Sequence, residues 1–418
     1  MPARRLAALV LALALPGVAS AGELTPPGAP GPSMKTLEEV EPRIAINAVN
    51  TPGDADSAWR ITKSGHYYLT QSYLVLGFPS ATHGIEIAAS DVTIDLNGFT
   101  IRGLSGALSG IRTDAPGFEN LVIRNGTIRN FSQSGIDLRT NESSHATLIE
   151  VRLLDNGLRG AYLGDDARAI RCRFEANGSD GLAAGHRATV EDCAVVQNGG
   201  HGVDLGWTST VRSSIFESNG AFPAGRSIRV GDGSIVASAR VTNATVVAVA
   251  AGSRSLVTDT VVLGAGDDGI RAGAASIVEN CVVTFASATG ITVGESCIVR
   301  ENIVSNSGFV GILPGTRTTV SGNRVTFSDD AGISVAGDAT RLEGNEVFGN
   351  DIGIRALGAR SLVTGNIVGD SASTNWSISP GNLVGPIIDL RFPGGGAISG
   401  NSSAGNLTTV DPHANFTN

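Results

Sequence analysis

Acidic and basic residues recur at a constant spacing in this chain, and one such pair combines side chains that can move protons. Asp180 and His201 are separated by one step of this spacing, and each stands directly before a Gly. If the chain winds with this period, the two side chains lie on neighbouring turns and can form a hydrogen bond. A carboxylate beside an imidazole is a candidate general acid–base pair. The alternative is that Asp and His occupy tight corners, which they tolerate better than most residues.

A second set of charges predicts a surface that could bind sugars. Asp204 and Arg229 belong to one outward strand position of the repeat. Opposite charges on neighbouring strands attract each other, so one interpretation is an exposed ladder of weak ion pairs. The other is a sugar-binding strip along a parallel sheet. The members of this position are predicted to be Glu86, Arg112, Asp137, Tyr162, Ala183, Asp204, Arg229, Ala248 and Arg271.

Asp267, Asp268 and Arg271 form the catalytic candidate. A carboxylate pair can serve as acid and base in sugar cleavage, and carboxylates that hold Ca²⁺ beside an arginine would suit a lyase. Ca²⁺ takes six or more oxygen ligands, and no second acidic cluster stacks on this one. The sequence therefore predicts no defined metal site, leaves Ca²⁺ open as a cofactor, and leaves open whether the protein is an enzyme.

A repeat of constant length positions all of these side chains. Gly-Ile pairs begin at Gly269, Gly290, Gly311, Gly332 and Gly353, with the same step of 21 each time. A fixed period of this size predicts stacked repeats rather than one globular core. Stacked Asn side chains can bond to one another along the repeat axis. Two Asn columns keep the spacing, apart from one step of 22: Asn156, Asn177, Asn198 and Asn219, and Asn302, Asn323, Asn345 and Asn366.

The residues between these columns distinguish two classes of repeat. Leucine-rich repeats use Leu and leave room for a helix, whereas the framework here is Val and Ile, with Gly, Ala, Asp and Ser between. No six-residue period indicates a left-handed helix. The sequence predicts an all-β fold, a single-stranded right-handed parallel β-helix capped at both ends. Its thirteen predicted coils open at Gly84, Gly110, Gly135, Gly160, Gly181, Gly202, Ser227, Val246, Gly269, Gly290, Gly311, Gly332 and Gly353.

Charge and hydropathy restrict the partners. The net charge is −9 at pH 7, and positions 1–21 contribute two Arg and no acid, so the remainder is more acidic still. Neutralising phosphates takes clustered Lys and Arg, so we expect no nucleic acid as a partner. No apolar run is long enough for membrane insertion. A polysaccharide stays as the candidate partner, and the oligomeric state is left open.

The first residues predict export. Arg4 and Arg5 precede the apolar run Leu6–Leu15, and Ala19 to Ala21 fit a cleavage site. Residues 1–21 are therefore predicted to be a signal peptide and the protein to be secreted or periplasmic. The other predicted boundaries are a Pro-rich linker at 22–33, an N-terminal cap with the first strands at 34–83, the β-helix at 84–370, and a C-terminal cap and tail at 371–418.

Four cysteines in an exported chain raise the question of disulfides. Cys172 and Cys193 are one coil apart in the same inward column, which is close enough to bridge if the geometry allows. The other interpretation is that these two, with Cys281 and Cys297, fill the core, because Ser, Ala and Thr occupy equivalent positions. No Cys-x-x-Cys or His pair is present, so a structural zinc site is not predicted.

The N-terminal repeats carry a family resemblance. The stretches DVTIDLNGFTI (91–101) and LVIRNGTI (121–128), followed by Gly-Ile coils, resemble right-handed parallel β-helix repeat proteins of the pectin-lyase-like superfamily. They are similar to an exported bacterial branch related to the periplasmic NosD proteins. The resemblance covers about residues 50–390 and implies the fold, but these motifs carry no catalytic residues. Polygalacturonase-type members combine a corner Asp-Asp pair with Asn-Thr-Asp, Gly-His-Gly and Arg-Ile-Lys motifs, which the corresponding coils here lack.

Three functions remain as hypotheses. The first is an exported carbohydrate-directed protein with lyase-like or hydrolase-like activity. The second is a non-catalytic surface or periplasmic binding scaffold. The third is a NosD-like accessory protein that handles metal, which 6 His and 2 Met disfavour because copper sites prefer such ligands. The fold alone does not separate the first two.

Overall fold

The structure is a computed structural model that describes residues 42–77, 82–104, 106–138, 145–221, 225–389 and 411–417. Its contacts divide the chain into Met1–Pro42 and Arg43–Asn418, and the following description concerns the second unit. The predicted signal peptide and linker lie outside the described residues, as do residues 390–410 and 418 of the predicted C-terminal cap and tail. Within the described part, no helix has the length and apolar character that crossing a membrane requires.

Parallel β-strands supply the regular structure of the described residues, and one sheet contains fifteen of them. Each strand pairs in register with the strand one coil before it and the strand one coil after it, for example Val203–Leu205 with Leu182–Ala184. This fifteen-stranded sheet comprises Ser57–Ile61, His83–Ile87, Ile111–Thr113, Ile136–Asp137, Ala161–Leu163, Leu182–Ala184, Val203–Leu205, Ile228–Val230, Val249–Ala251, Ile270–Ala272, Ile291–Val293, Ile312–Pro314, Ala331–Val335, Ile352–Ala356 and Thr374–Ile378.

A second sheet of thirty strands covers the other sides of the coil. Two long strands, Val122–Arg129 and Thr147–Leu154, belong to both of its columns. The first column also holds Ile44–Ala45, Gly65–Tyr68, Val92–Asp95, Arg168–Ile170, Thr189–Glu191, Thr210–Arg212, Ile235–Ala237, Leu256–Thr258, Ile277–Glu279, Ile298–Arg300, Thr319–Ser321, Arg341–Glu343, Leu362–Thr364 and Leu383–Val384. The second also holds Tyr73–Val75, Thr100–Gly103, Arg173–Glu175, Ala194–Val196, Ile215–Glu217, Arg240–Ala244, Val261–Ala265, Val282–Ala286, Ile303–Ser305, Arg324–Thr326, Glu346–Phe348, Ile367–Gly369, Ile387–Asp389 and Asn415–Thr417.

The predicted β-helix is confirmed, but its coil number is larger than the thirteen predicted, at about sixteen turns. Ser57–Ile61 pairs in register with His83–Ile87, which extends the stack at its start. Thr374–Ile378 pairs with Ile352–Ala356 and extends it at its end. Neither of these added strands follows a Gly-Ile opening, so counting such openings missed them.

One predicted coil opening was wrong. Val249–Ala251 pairs in register with Ile228–Val230, so Ala248, not Val246, is the residue equivalent to Ser227. The outward residue of that strand is therefore Ala250, which lies between Arg229 and Arg271. The coil that begins at Gly202 is longer than its neighbours, and the regular step resumes directly after it. Val246 was mistaken for the opening because it too is an apolar residue.

In the fifteen-stranded sheet the central residue of a three-residue strand, such as Asp204, points outward between buried neighbours. In the thirty-stranded sheet the alternation is reversed, and an apolar central residue is buried while its neighbours point outward. Val278, Val299 and Val320 are stacked in this way and are fully buried. Gly is required at the coil openings for a steric reason. A Cβ on Gly290 would lie 2.4 Å from Val304 Cγ1 and 2.6 Å from the Gly311 carbonyl oxygen. The Gly of each Gly-Ile pair thus lets the apolar column of the facing sheet approach closely.

Buried Asn ladders run along the stack, as the sequence predicts. Asn302 donates from its Nδ2 to Asn323 Oδ1 at 2.9 Å, and Asn323 repeats the contact to Asn345. The same oxygens accept the backbone N–H of the preceding Asn, at 3.0 Å in both steps. The second predicted column, from Asn156 to Asn219, makes equivalent bonds. Because every amide is bonded on both sides, these polar groups are buried with partners.

A third ladder of hydroxyl groups was missed, and it accounts for one cysteine. Ser276 Oγ accepts the backbone N–H of Ser255 at 3.1 Å, and Cys297 Sγ accepts that of Ser276 at 3.4 Å. Cys193 takes the same role, since its Sγ accepts the backbone N–H of Cys172 at 3.4 Å. All four cysteines are buried free thiols. The residues therefore act as small core groups that also accept a backbone hydrogen bond.

Candidate functional site

A groove of about 670 Å³ lies on the outer face of the fifteen-stranded sheet. Five neighbouring strands supply its floor, from Ala161–Leu163 to Val249–Ala251. The small side chains of Ala183 and Ala250 leave the floor low between larger polar groups. The outward residues that follow one another in register along the floor are Tyr162, Ala183, Asp204, Arg229 and Ala250.

An exposed indole ring forms one wall of the groove. Trp207 is 62% exposed, and its ring stacks on His186 with centroids 4.8 Å apart and planes 30° from parallel. The backbone N–H of Trp207 donates to His186 Nδ1 at 3.0 Å. The backbone N–H of His186 in turn donates to Asp165 Oδ1 at 2.8 Å. These contacts fix one face of the indole against the protein and leave the rest of the ring open to the groove.

Arginine side chains approach the groove in different states of pairing. Arg229 Nη1 lies 2.9 Å from each carboxylate oxygen of Asp204, which joins the two predicted binding residues in one ion pair. Arg159 Nε donates to Asp180 at 3.0 Å, and its guanidinium lies 5.0 Å from the centroid of the Tyr162 ring. Both arginines are thus held in place beside the floor.

Arg226 differs from these two arginines. Its Nε is buried and has no hydrogen-bond partner among the described residues. Burial and then the positive charges of Arg229 and Arg271 lower the pKa of Arg226. Arg226 therefore lines the groove and, within the part of the chain that the structure describes, has one buried donor without a partner.

Asp180 and His201, the predicted acid–base pair, each accept a hydrogen bond from the backbone and do not bind each other through their side chains. Asp180 Oδ1 accepts the backbone N–H of His201 at 2.8 Å, not an imidazole proton. The imidazole itself uses Nδ1 to accept the backbone N–H of Arg226 at 3.0 Å. Neither Asp180 nor His201 lines the groove, so they support its corner, whereas Asp204 and Arg229 lie within it.

Three histidines along this sheet have the same neutral tautomer for the same geometric reason. The Nδ1 atoms of His83, His186 and His201 each accept a backbone N–H from a later coil. A nitrogen that accepts carries no proton, so each neutral ring holds its proton on Nε2. In this arrangement Nε2 donates hydrogen bonds, and the lone pair on Nδ1 is occupied. None of the three is set up as a general base.

The two carboxylates of the predicted catalytic group share one arginine. Arg271 donates to Asp268 Oδ2 from Nε at 2.9 Å and from Nη2 at 2.8 Å, and Nη2 lies 3.4 Å from Asp267 Oδ2. The other oxygen of Asp268 accepts the backbone N–H of Thr289 at 3.1 Å. Asp268 is buried. The three predicted residues do come together, one strand beyond Ala250 at the edge of the groove.

Carboxylates converge most closely at another place. Among the described residues, the oxygens of Asp54, Asp56 and Glu86 lie within 4.8 Å of one another, as a metal site would need. Arg60 binds Asp54 at 2.7 Å, and Arg112 binds both Asp56 and Glu86 at 2.8 Å. Two guanidinium groups therefore occupy the position where a cation would compensate the charge. This cluster therefore does not provide a binding site for Ca²⁺, the cofactor that the sequence analysis left open.

Trp207, His186 and Arg226 were not singled out as site residues from the sequence, and Tyr162 was named only as a member of the outward strand position. A signal for Trp207 was present, because its turn position holds Asp165, His186, Asp232 and Ser253 in neighbouring coils. A large aromatic residue in a column of polar turn residues is exposed without a local structural need. Arg226 had no such signal, since it ends the irregular, longer coil that begins at Gly202.

Two family models match adjoining stretches of the chain. The model described as "Right handed beta helix region" matches residues 77–220. The model described as "Periplasmic copper-binding protein (NosD)" matches residues 232–382. Among curated proteins, none matches this chain.

Several solved structures are similar in fold at low sequence identity. The A-module of mannuronan C-5 epimerase AlgE4 from Azotobacter vinelandii is 15% identical over 71% of this chain and 90% of that one, with a TM-score of 0.46. A tailspike protein of E. coli bacteriophage HK620 in complex with a pentasaccharide is 12% identical over 79% and 63%, with a TM-score of 0.38. A thermostable α-1,3-glucanase from Streptomyces thermodiastaticus is 12% identical over 72% and 62%, with a TM-score of 0.36.

The two family models and the strand pairing describe the same architecture. Together the models extend over most coils of the stack, and both sheets pair in parallel from one coil to the next. The chain is therefore a right-handed parallel β-helix repeat protein.

Proposed function

We propose that this protein is an exported carbohydrate-binding protein that holds a saccharide in the groove beside Trp207. The observation that carries the proposal is the exposed indole at the edge of a polar groove. A sugar ring has an apolar C–H face and a rim of hydroxyl groups. An aromatic ring supplies a large rigid apolar surface for the C–H face. The polar partners for the hydroxyl groups are Asp204, Arg229 and Tyr162.

Binding without catalysis fits the side-chain contacts better than lyase or hydrolase activity. Asp267 and Asp268 share Arg271, and Asp204 is paired with Arg229. His201 uses its lone pair to fix the backbone. A general base needs a free lone pair near the substrate. The Nδ1 lone pair of His201 is used on the backbone, and each of these carboxylates already binds an arginine. The non-catalytic scaffold among the sequence hypotheses is therefore the form of carbohydrate recognition that the geometry favours.

Copper handling, the activity in the name of the second family model, does not fit the residues present. Residues 232–382 contain neither His nor Met. The stretch contains Cys281 and Cys297, and both are buried. Burial raises the pKa of the Cys281 thiol to about 12, whereas a metal ligand must be a thiolate. Copper sites in proteins use imidazole, thiolate and thioether groups, so we derive no copper chemistry for this stretch.

We place the protein in the periplasm or outside the cell. The predicted signal peptide at 1–21 and the periplasmic description of the NosD model support this location. In either compartment, the polysaccharides of cell envelopes are within reach of the groove.

Affinity electrophoresis through gels that contain xylan, dextran, laminarin or polygalacturonate tests the proposal. At least one gel should retard the wild type, and Trp207→Ala should weaken this binding by about 2 kcal/mol, or about thirtyfold in Kd, as for a buried aromatic contact. Phe285→Ala is the matched control, since Phe285 is 64% exposed but lies outside the groove. Equal effects of the two changes would contradict the proposal.

Incubation with the same polysaccharides, with and without Ca²⁺, separates binding from catalysis. We expect neither unsaturated products nor new reducing ends, because the carboxylates near the groove are paired with arginine. Steady product formation that is lost in Asp268→Asn would show that the paired carboxylates do react, and would restore the enzyme hypothesis.

A further inference from the structure

A second cavity, of about 330 Å³, lies on the same fifteen-stranded sheet nearer its N-terminal end. His83–Ile87, Ile111–Thr113 and Ile136–Asp137 are the strands beneath it. Its lining combines His83, Arg112, Gln133 and Asp137 with the small residue Ala115. None of these residues belongs to the groove beside Trp207.

The two cavities adjoin along the register of the sheet. Asp137, which lines the second cavity, is the direct strand partner of Tyr162, which lines the groove. No strand lies between them. The outward column runs from Arg112 through Asp137 and Tyr162 to Ala250 without a break in pairing. Six steps of about 4.8 Å make this column roughly 30 Å long.

The second cavity presents hydrogen-bond donors beside the carboxylates of Asp114 and Asp137. His83 accepts the backbone N–H of Ser109 on Nδ1 at 3.2 Å, so its Nε2 carries the proton. Gln133 Oε1 lies 3.3 Å from Ser109 Oγ, which orients the amide oxygen and leaves the amide N–H groups for other partners. Arg112 is fixed by Glu86 and Asp56 at 2.8 Å. The second cavity is therefore polar, whereas the adjoining groove contains the aromatic ring of Trp207.

We propose that both cavities are parts of one binding face, and that its ligand is a linear polysaccharide long enough to contact Trp207 and Gln133 at once. The inference rests on the proposed function, because it assigns a length to the ligand of the same groove. A continuous column about 30 Å long matches an extended polymer better than a single sugar or a disaccharide. The donors of the second cavity then contact hydroxyl groups of the chain beyond the units held near Trp207.

The test compares the affinities of oligosaccharides of increasing length, prepared by partial hydrolysis of xylan, dextran, laminarin and polygalacturonate. For the wild type, affinity should increase from the disaccharide to the oligomer that spans both cavities and then stay constant. Gln133→Ala should weaken the long oligomers about fivefold, the loss expected for one hydrogen bond, and leave disaccharides unchanged. Ala115→Trp fills the second cavity from an exposed position and should have the same selective effect without loss of the fold.

Two controls distinguish this inference from the proposed function. Trp207→Ala should weaken short and long oligomers alike, and Asn306→Ala, on another corner of the coil, should weaken neither. Wild-type affinity that is already constant at the disaccharide, with Gln133→Ala and Ala115→Trp without effect, would overturn the inference and leave the Trp207 site intact. A wild type that binds no oligomer of any length would overturn both.

Discussion

At the scale of single residues, several polar side chains along the fifteen-stranded sheet accept hydrogen bonds from backbone N–H groups. Asp165, Asp180, Asp232 and Asp268 each accept a backbone N–H from the next coil. His83, His186 and His201 do the same through Nδ1. Such bonds satisfy corner amides that the strands leave unpaired. A carboxylate or imidazole at a coil corner is therefore weak support for catalysis in this fold.

The pH dependence of stability should show the structural role of His83. Burial, with a further contribution from the charge of Arg112, lowers the pKa of His83 from 6.5 to about 4. The unfolded chain then binds the proton more readily than the folded one, so stability is complete above pH 6.5 and declines as the pH falls towards 4. This pKa shift corresponds to a decrease of about 3 kcal/mol in the free energy of unfolding. Urea unfolding at several pH values across this range would measure it.

His83→Asn is the matched comparison, because an Asn oxygen can still accept the backbone N–H of Ser109. This variant should lose less stability than the wild type on acidification, because Asn does not titrate. The carboxylates contribute equally to both proteins. An identical pH profile for the two proteins would show that His83 does not titrate differently in the folded state.

The backbone conformation of Phe285 yields another prediction at the scale of single residues. Its φ is 57°, in the left-handed region, and the equivalent residues of neighbouring coils are Gly264 and Asn306. A bulky residue is disfavoured there by about 1 kcal/mol or more, whereas Asn is tolerated. Phe285→Asn should therefore raise the free energy of unfolding by about 1 kcal/mol in a urea titration. A loss of stability would mean that the ring makes packing contacts worth more than the strain.

At the scale of elements, the ladders hold successive coils in register. Asn323 Oδ1 accepts from both N and Nδ2 of Asn302, and its own Nδ2 donates to Asn345 Oδ1, Val299 O and Ser321 O. One side chain therefore links three coils. Since all of these groups are buried, removing the amide leaves donors and acceptors without partners.

Asn323→Ala should lower the free energy of unfolding by about 3 kcal/mol, because at least two buried polar groups lose their partners. Asn306→Ala is the control one coil away, where the side chain is exposed but φ is 55°, so a loss of only about 1 kcal/mol is expected, from placing Ala in the left-handed region. Denaturant unfolding of both variants measures the difference. Equal losses would contradict the role of the ladder.

The sequence predicted these elements well where the period was regular, and poorly elsewhere. The Gly-Ile pairs and Asn columns are identical residues at a constant spacing, so pattern alone reveals them. The hydroxyl ladder escaped because its spacing is interrupted between Ser209 and Ser234 and because Cys297, Thr318 and Thr340 replace Ser further along. The opening at Val246 was wrong because this coil does not open with Gly, so apolar character alone did not distinguish Val246 from Ala248. Asp204 and Arg229 were predicted as binding residues and do form one ion pair in the groove.

The geometry around the predicted catalytic residues was not predictable. Whether Arg271 binds a substrate or its own neighbours Asp267 and Asp268 depends on side-chain torsions, which the period does not specify. The proton position on His201 depends on one backbone N–H, from Arg226, in the next coil. Trp207 was overlooked because the repeat frame directs attention to strand positions, and Trp207 is in a turn.

At the scale of the whole molecule, stability should be distributed over the coils, because each coil contacts only its neighbours. Deletion of residues 290–310 removes one complete coil and rejoins equivalent positions. Cys281, whose backbone N–H donates to Asn302 Oδ1, would then meet Asn323 instead. We expect this variant to keep its β-sheet circular dichroism and a cooperative thermal transition.

Deletion of residues 290–309 is the matched control, because it removes one residue fewer. It shifts the following strand by one position and directs apolar side chains outward. We expect this variant to unfold or aggregate. Folding of both variants, or of neither, would contradict a stack with interchangeable coils.

The groove is the property of the whole stack that matters for function, since five coils contribute to it and three more contribute to the adjoining cavity. A crystal structure of the protein with the longest oligosaccharide that it binds would test this most directly. We expect a sugar ring on the open face of Trp207 and further units towards Asp137 along the fifteen-stranded sheet. Saccharide bound only to the thirty-stranded sheet, with Trp207 free, would contradict the proposed function.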